Sequence, residues 1–197
     1  MIEKKHRHEN EHFKIVHKDC GHGVHGMISV VERKSDGKLI VWKRPRSNSY
    51  RHQESFRQEI KKSKYWRKFG ISQVKVCWHP DKASLLKTYI KGKTLKQILK
   101  DDPNLFSKRK HRSVEALGKL VELLIESKHY IQDVNRQNLV FDGKKWHVID
   151  SSVIHAKTNR SDTRHKYKKA FLKSWSKSLN SKKEIHALKS FIGKYCH

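Results

Sequence analysis

The sequence predicts an α+β protein in two parts, an antiparallel sheet carrying one helix followed by a mainly helical remainder. Two observations lead there. Residues 13–90 contain short apolar runs, several of them alternating with polar residues and separated by glycines or turn residues, the signature of strands and hairpins. From Ser113 the pattern changes: Val114, Leu117, Leu120, Val121, Leu124 and Ile125 recur at the spacing of one helix face. The length of 197 residues suits one domain or two closely packed lobes rather than an array of domains.

Taken in order, residues 1–12 form a flexible basic start. FKIVHKDCGHGVHGMISVVERKSDGKLIVWKR then reads as strand, glycine turn, strand, Asp36-Gly37 turn and strand, an antiparallel meander. Gln53 to Phe69 has the charge density and apolar spacing of an amphipathic helix, with Phe56, Ile60 and Tyr65 or Trp66 inward and Gly70 as its stop. Strands are expected over Gln73–Trp78 and Ser84–Tyr89 around a His79-Pro80-Asp81 turn. A short helix follows over Thr94–Leu99 and a longer one over Ser113–Lys128. The segment YIQDVNRQNLVFDGKKWHVIDSS gives a loop, a short strand, an Asp142-Gly143 turn and a second strand ending at Asp150. In the last 47 residues twelve Lys or Arg face only Asp162 and Glu184, and Phe171, Leu172, Trp175 and Leu179 sit at helical spacing, so one or two basic helices are expected.

Lysine and arginine number 46 against 19 acidic residues, a formal charge of +27, so polyanions and acidic surfaces are drawn to the molecule. Charge alone does not choose among nucleic acid, anionic membrane, phosphoinositide, lipopolysaccharide or acidic protein, and nonspecific attraction explains it equally well. Cys20, Cys77 and Cys196 are widely spaced and fit free thiols in a reducing compartment. The histidines lack partners at structural-zinc intervals. No run approaches the roughly 20 apolar residues of a membrane span, and the polar start lacks a signal-peptide apolar region. The expected location is the cytoplasm, or a host cell reached by secretion without a readable signal.

Gly21, Gly23 and Gly26 form GxGxxG between two expected strands, where absent side chains let backbone N–H groups approach phosphate oxygens. A dinucleotide-binding unit would have a helix after these glycines, and a strand follows instead. Lys43 comes seventeen residues after Gly26 at the end of a strand, then Glu59 on the expected helix, with Glu54 as a competing acid. Ile131-Gln132-Asp133-Val134-Asn135-Arg136-Gln137-Asn138 then has D-x-x-x-x-N spacing, and Asp150 lies twelve residues beyond Asn138. In this order the motifs resemble the protein-kinase superfamily over about residues 13–155.

The resemblance implies a bilobal protein-kinase-like fold: an N-lobe over 13–90, the catalytic part of a truncated helical C-lobe over 91–155, and a basic helical tail over 156–197 completing it. It implies ATP and Mg²⁺ or Mn²⁺ as cofactors. Gly21, Gly23, Gly26 and Lys43 would bind ATP, Glu59 would position Lys43, Asp133 would be the catalytic base, and Asn138 and Asp150 would hold the metal. The departures also speak. Ile131-Gln132 replaces the usual His-Arg pair, Asn135 replaces a lysine, Ser151-Ser152 replaces Phe-Gly, and no Ala-Pro-Glu follows. Regulation through a phosphorylated activation loop is therefore not expected.

Two groups share these traits: the minimal effector kinases that bacterial pathogens deliver into host cells, which favours Ser/Thr protein phosphorylation, and the small lipopolysaccharide-core kinases. The expected partners are a protein substrate with an acidic surface and a polyanion activator. The tail would pack under the catalytic loop as a substitute scaffold. A pseudokinase or polyanion-binding module is the remaining alternative. Specific nucleic-acid binding is not expected, because helix-spaced aromatics such as Tyr167, Phe171 and Trp175 more often belong to a core.

Overall fold

The computed structural model describes residues 12–23, 26–47, 50–80, 83–108, 110–131, 134–150 and 159–196. They divide into two compact units, one of residues up to 61 together with 74–89, the other of 62–73 together with residues from 90 onward. The division cuts the stretch 13–90: residues 62–73 belong with the second unit.

In the first unit β1 (Phe13–Gly23), β2 (Gly26–Arg33), β3 (Leu39–Pro45), β4 (Val76–Trp78) and β5 (Leu85–Thr88) build one antiparallel sheet in the order β1-β2-β3-β5-β4. The β2–β3 turn forms where expected, with Gly37 at a φ of 67° that side chains disfavour and Arg33 donating to both carboxylate oxygens of Asp36. Pairing of Lys43 with Leu85 and of Val41 with Lys87 puts those four residues on one face of the sheet. Phe13, Val31 and Trp42 form a small cluster with Ile15, Ile40 and Leu86. The Trp42 indole donates to Ser84 Oγ at 2.8 Å, so its polar atom is satisfied despite burial.

Helix α1 (Tyr50–Arg67) begins three residues before the expected Gln53 and stops at Arg67, with Gly70 at a φ of 73° closing the turn after it. Its buried stripe is Phe56, Glu59, Ser63 and Trp66, and Ile60 lies only half-buried beside it. The stripe runs through two polar residues, which a hydrophobic pattern cannot register. β4 begins at Val76, because Gln73 instead bridges in parallel to Val148 within the second unit. Asp81, of the expected His79-Pro80-Asp81 turn, lies outside the described residues, as do residues 1–11.

Among the described residues the second unit holds a three-stranded sheet, β6 (Lys93–Thr94), β7 (Leu139–Phe141) and β8 (Trp146–Val148), and four α-helices. β8 ends at Val148, two residues before the expected Asp150. β6 escaped the sequence pattern because two residues carry no period. Helix α2 (Leu95–Asp101) starts in a capping box in which Thr94 and Gln97 satisfy each other's backbone N–H. Helix α3 (Arg112–Glu126) buries the six apolar residues its period marks. Gly118 on α3 is required by close approach, since a Cβ there would overlap the Tyr195 ring.

The tail forms two helices, α4 (Arg160–Trp175) and α5 (Lys182–Tyr195), each capped by a side chain, Asn159 and Ser181. They supply core rather than a solvated appendage. Tyr167, Phe171, Trp175, Leu188, Phe191 and Ile192 are buried with Leu117, Leu124 and Trp66 in one cluster, and the Phe171 and Trp175 rings stack at 4.3 Å between centroids.

This packing has a measurable consequence. Trp175→Ala is expected to lower stability by about 3–5 kcal/mol through the cavity it leaves, whereas Lys173→Ala, on the exposed side of α4, should change it by no more than about 0.5 kcal/mol. Urea denaturation followed by tryptophan fluorescence compares them, and near-equal midpoints would show that α4 is not core.

Candidate functional site

Glu59 is the charged residue on the buried stripe of α1, and the sheet face opposite supplies its partners. Lys43 Nζ donates to Glu59 Oε2 at 2.8 Å, and Lys87 Nζ donates to Glu59 Oε1 at 2.5 Å. All three side chains are less than a tenth exposed. Burial pushes the Glu59 carboxyl upward, but the fields and hydrogen bonds of Lys87 and Lys43 outweigh it and hold it down at about 2. The competing Glu54 is more exposed and pairs locally, accepting from Gln58 at 2.7 Å and meeting Arg57 at 3.5 Å.

The glycines stand next to this trio in the sheet. Gly23 pairs with Gly26 and Gly21 with Ile28 in the β1–β2 ladder, and Ile28 in turn pairs with Lys43. A Cβ on Gly26 would strike the Arg44 carbonyl and crowd Lys43 Cγ, so glycine is what allows β2 to lie this close to Lys43. Residues 24 and 25 lie outside the described residues.

Lys87 did not emerge from the sequence, where it is one cation among 46. A signal existed. In SLLKTYI it falls in phase with Leu85, so the residue due to face the core on that strand is a lysine, which calls for a buried partner.

In the second unit the two candidate metal ligands come to one end of the β7–β8 hairpin. The register pairs Leu139 with Val148, and one step beyond it the Ile149 N–H donates to the Asn138 carbonyl at 2.9 Å, which puts Asp150 next along. Both residues are half-buried. An amide oxygen and a carboxylate are hard donors of the kind Mg²⁺ takes, and Mg²⁺ completes its shell with water and phosphate rather than an all-protein cage. These two donors could therefore take part in holding such an ion, and the described residues contain no cluster of three or more His, Cys, Asp or Glu suited to a dedicated site.

Asp133 and Gln132 lie outside the described residues, and so do Ser151 and Ser152. The chain on either side of Asp133 is held by α4. Tyr167 Oη accepts from the Ile131 N–H at 2.9 Å and donates to the His129 carbonyl at 3.0 Å, while the Arg136 guanidinium donates to the Ser174 carbonyl at 2.9 Å. Asn135 Oδ1 accepts from the Gln137 and Asn138 N–H groups, an Asx turn that sets the chain into β7. The tail thus packs against this segment through named hydrogen bonds, and burial raises the Tyr167 phenol well above its ordinary value, keeping it a neutral donor.

No protein-family model matches the sequence, and no curated protein matches it. Among the described residues no helix is long and apolar enough to cross a membrane.

Because the folded Glu59 carboxyl titrates near 2 against 4.5 unpaired, the stability it contributes is complete above about pH 5 and is lost as pH falls toward 2. The stability difference between wild type and Glu59→Gln should therefore shrink by up to roughly 3 kcal/mol across that window. Urea titrations at stepped pH read it, and a constant difference would mean the carboxylate is not held by the lysines. Tyr167→Phe should cost about 1–3 kcal/mol by stranding the buried Ile131 N–H and leaving the His129 carbonyl only its long 3.4 Å contact with Ser127 Oγ. A urea midpoint equal to that of wild type would refute this anchoring.

Proposed function

We propose that the chain is an ATP-dependent phosphotransferase of protein-kinase-like fold, a minimal Ser/Thr kinase that transfers the γ-phosphate to a protein hydroxyl. The observation that carries the reading is the buried ion pair of Lys43 on β3 with Glu59 on α1, next to a glycine-bearing hairpin. A surface lysine would need no such partner. Replacing buried ion pairs with apolar residues is often neutral or stabilising, so a buried ammonium held by a carboxylate points to a use for its charge.

In this reading Lys43 neutralises phosphate charge on ATP, and Glu59 fixes the ammonium so that no reorganisation is required when the nucleotide binds. Asn138 and Asp150 would hold the Mg²⁺, which supplies charge neutralisation at the phosphates. Asp133 orients the acceptor hydroxyl and takes its proton as the oxygen bonds to the γ-phosphorus and ADP leaves with the bridging oxygen. The hydrogen bonds of α4 to residues 129, 131 and 136 steady the chain on both sides of that base.

A second reading, a kinase of lipopolysaccharide-core sugars, is favoured by one feature. The exposed face of α4 presents Lys166, Lys169 and Lys173 beside Tyr130, a surface suited to an anionic acceptor. The remaining alternative is a pseudokinase or polyanion-binding module that uses the charge without chemistry.

Transfer of labelled γ-phosphate from ATP with Mg²⁺ to a panel of acidic and basic proteins, host lysate and lipopolysaccharide separates these readings. We expect label on protein, reduced on the order of 10²–10⁴-fold in Asp133→Ala and severely reduced in Lys43→Met and Asp150→Ala. Label confined to lipopolysaccharide would select the second reading. Nucleotide binding without any transfer would leave the binding module.

A further inference from the structure

One concave site in the second unit lies outside everything assigned above. It is a cavity of about 460 Å³ between α3 and the β7–β8 turn, with Leu120, Leu123 and Trp146 among its lining. Cavities that bind small molecules start at a few hundred Å³, so this one has the necessary size. Its rim carries Arg112 and Lys119, two turns apart on α3, and Lys144 and Lys145 from the hairpin turn. These four cations face one carboxylate, Glu115, and no ion pair joins any of the four to a described acidic residue.

Like charges gathered around a concavity repel one another, and nothing in the fold requires them to be there, since all four residues are exposed. Their backbone is nevertheless rigidly placed. Asp142 Oδ1 accepts from both the Lys144 and Lys145 N–H groups at 2.8 Å, and Asp142 Oδ2 meets His147 Nε2 at 2.7 Å. His147 Nδ1 in turn lies 2.9 Å from Ser72 Oγ on the cavity wall. The turn that presents the lysines is thereby fixed to the floor beneath it, which lowers the ordering cost of binding.

We propose that this cavity binds a compact carbon skeleton carrying several phosphates. Arg112 offers a forked donor set and the three lysines offer mobile ammonium groups for separate phosphates, while the apolar lining meets the ring that carries them. A long polyanion fits worse. It needs a linear track, which α4 presents in Lys166, Lys169 and Lys173, rather than a hollow ringed by cations from two elements. Binding would tie α3 to the hairpin that carries Asn138 and Asp150 at its other end, but occupancy of the cavity does not depend on phosphate transfer.

The test is calorimetric titration of the full chain with inositol hexakisphosphate at about 150 mM salt, where attraction between distant exposed charges is largely screened. Two variants lose equal charge: Arg112→Gln/Lys119→Gln/Lys144→Gln/Lys145→Gln at the cavity, and Lys166→Gln/Lys168→Gln/Lys169→Gln/Lys173→Gln on α4. We expect one tight site in wild type, weakened about tenfold or more by the cavity variant and within about twofold by the α4 variant. Equal weakening in both would overturn the proposal in favour of general attraction, as would greater weakening on α4. The unliganded cavity variant should melt no lower than wild type, which excludes misfolding as the cause. Sedimentation with vesicles containing a bisphosphorylated phosphatidylinositol, against phosphatidylserine vesicles of equal charge, distinguishes the source. Cavity-dependent capture of the first alone makes the ligand a lipid headgroup, and no capture makes it a soluble polyphosphate.

Discussion

A carboxylate buried between two ammonium groups is the constraint around which the first unit is arranged. Glu59 can be buried only because Lys43 and Lys87 reach it, and they reach it only because β3 and β5 are neighbours in a register that puts both lysines on one face. The trio ties α1 to two strands of the sheet. Removing Glu59 would leave two buried ammonium groups without that carboxylate, and breaking a buried pair in this way costs about 3–5 kcal/mol, so the arrangement is specific even where it adds little net stability. Gly26 belongs to the same constraint, because a side chain there would push β2 away from Lys43.

The second unit depends on aromatic packing supplied late in the chain. With 35% of its residues hydrophobic, the protein has few large apolar groups, and six of those buried in the second unit's core cluster, Tyr167, Phe171, Trp175, Leu188, Phe191 and Ile192, come from α4 and α5. Tyr167 joins packing to polar satisfaction: its ring is core, and its hydroxyl satisfies two backbone groups just before Asp133. A tail that is basic on one side and aromatic on the other therefore does structural work with one face and leaves its cations to solvent or ligands with the other.

Several of the 19 acidic residues are occupied in local structure. Asp36 closes a hairpin, Asp101 and Asp102 pair with Lys93 and Lys108, Asp142 holds a turn, and Asp162 and Glu184 sit at helix caps. With 19 acidic residues against 46 cations, the surface field is positive and draws anionic ligands. Where those cations surround a hollow instead of a smooth helix face, attraction gains shape.

What the sequence determined by itself were features carried within a few residues. The α+β class, the hairpins at Asp36-Gly37 and Asp142-Gly143, the apolar face of α3 and the helical tail all follow from periods and turn residues that need no knowledge of distant parts. The candidate positions Lys43, Glu59, Asn138 and Asp150 were legible from their order along the chain. Only the tertiary structure decided which of them meet, and with what. Glu59 joins Lys87 across 28 residues and Lys43 across 16, β6 exists only because β7 pairs with it, and Gln73 leaves its strand to bridge Val148. These are choices of register and packing between remote segments. A local pattern shows that a residue faces inward; what it meets there is set by the free energy of the whole fold.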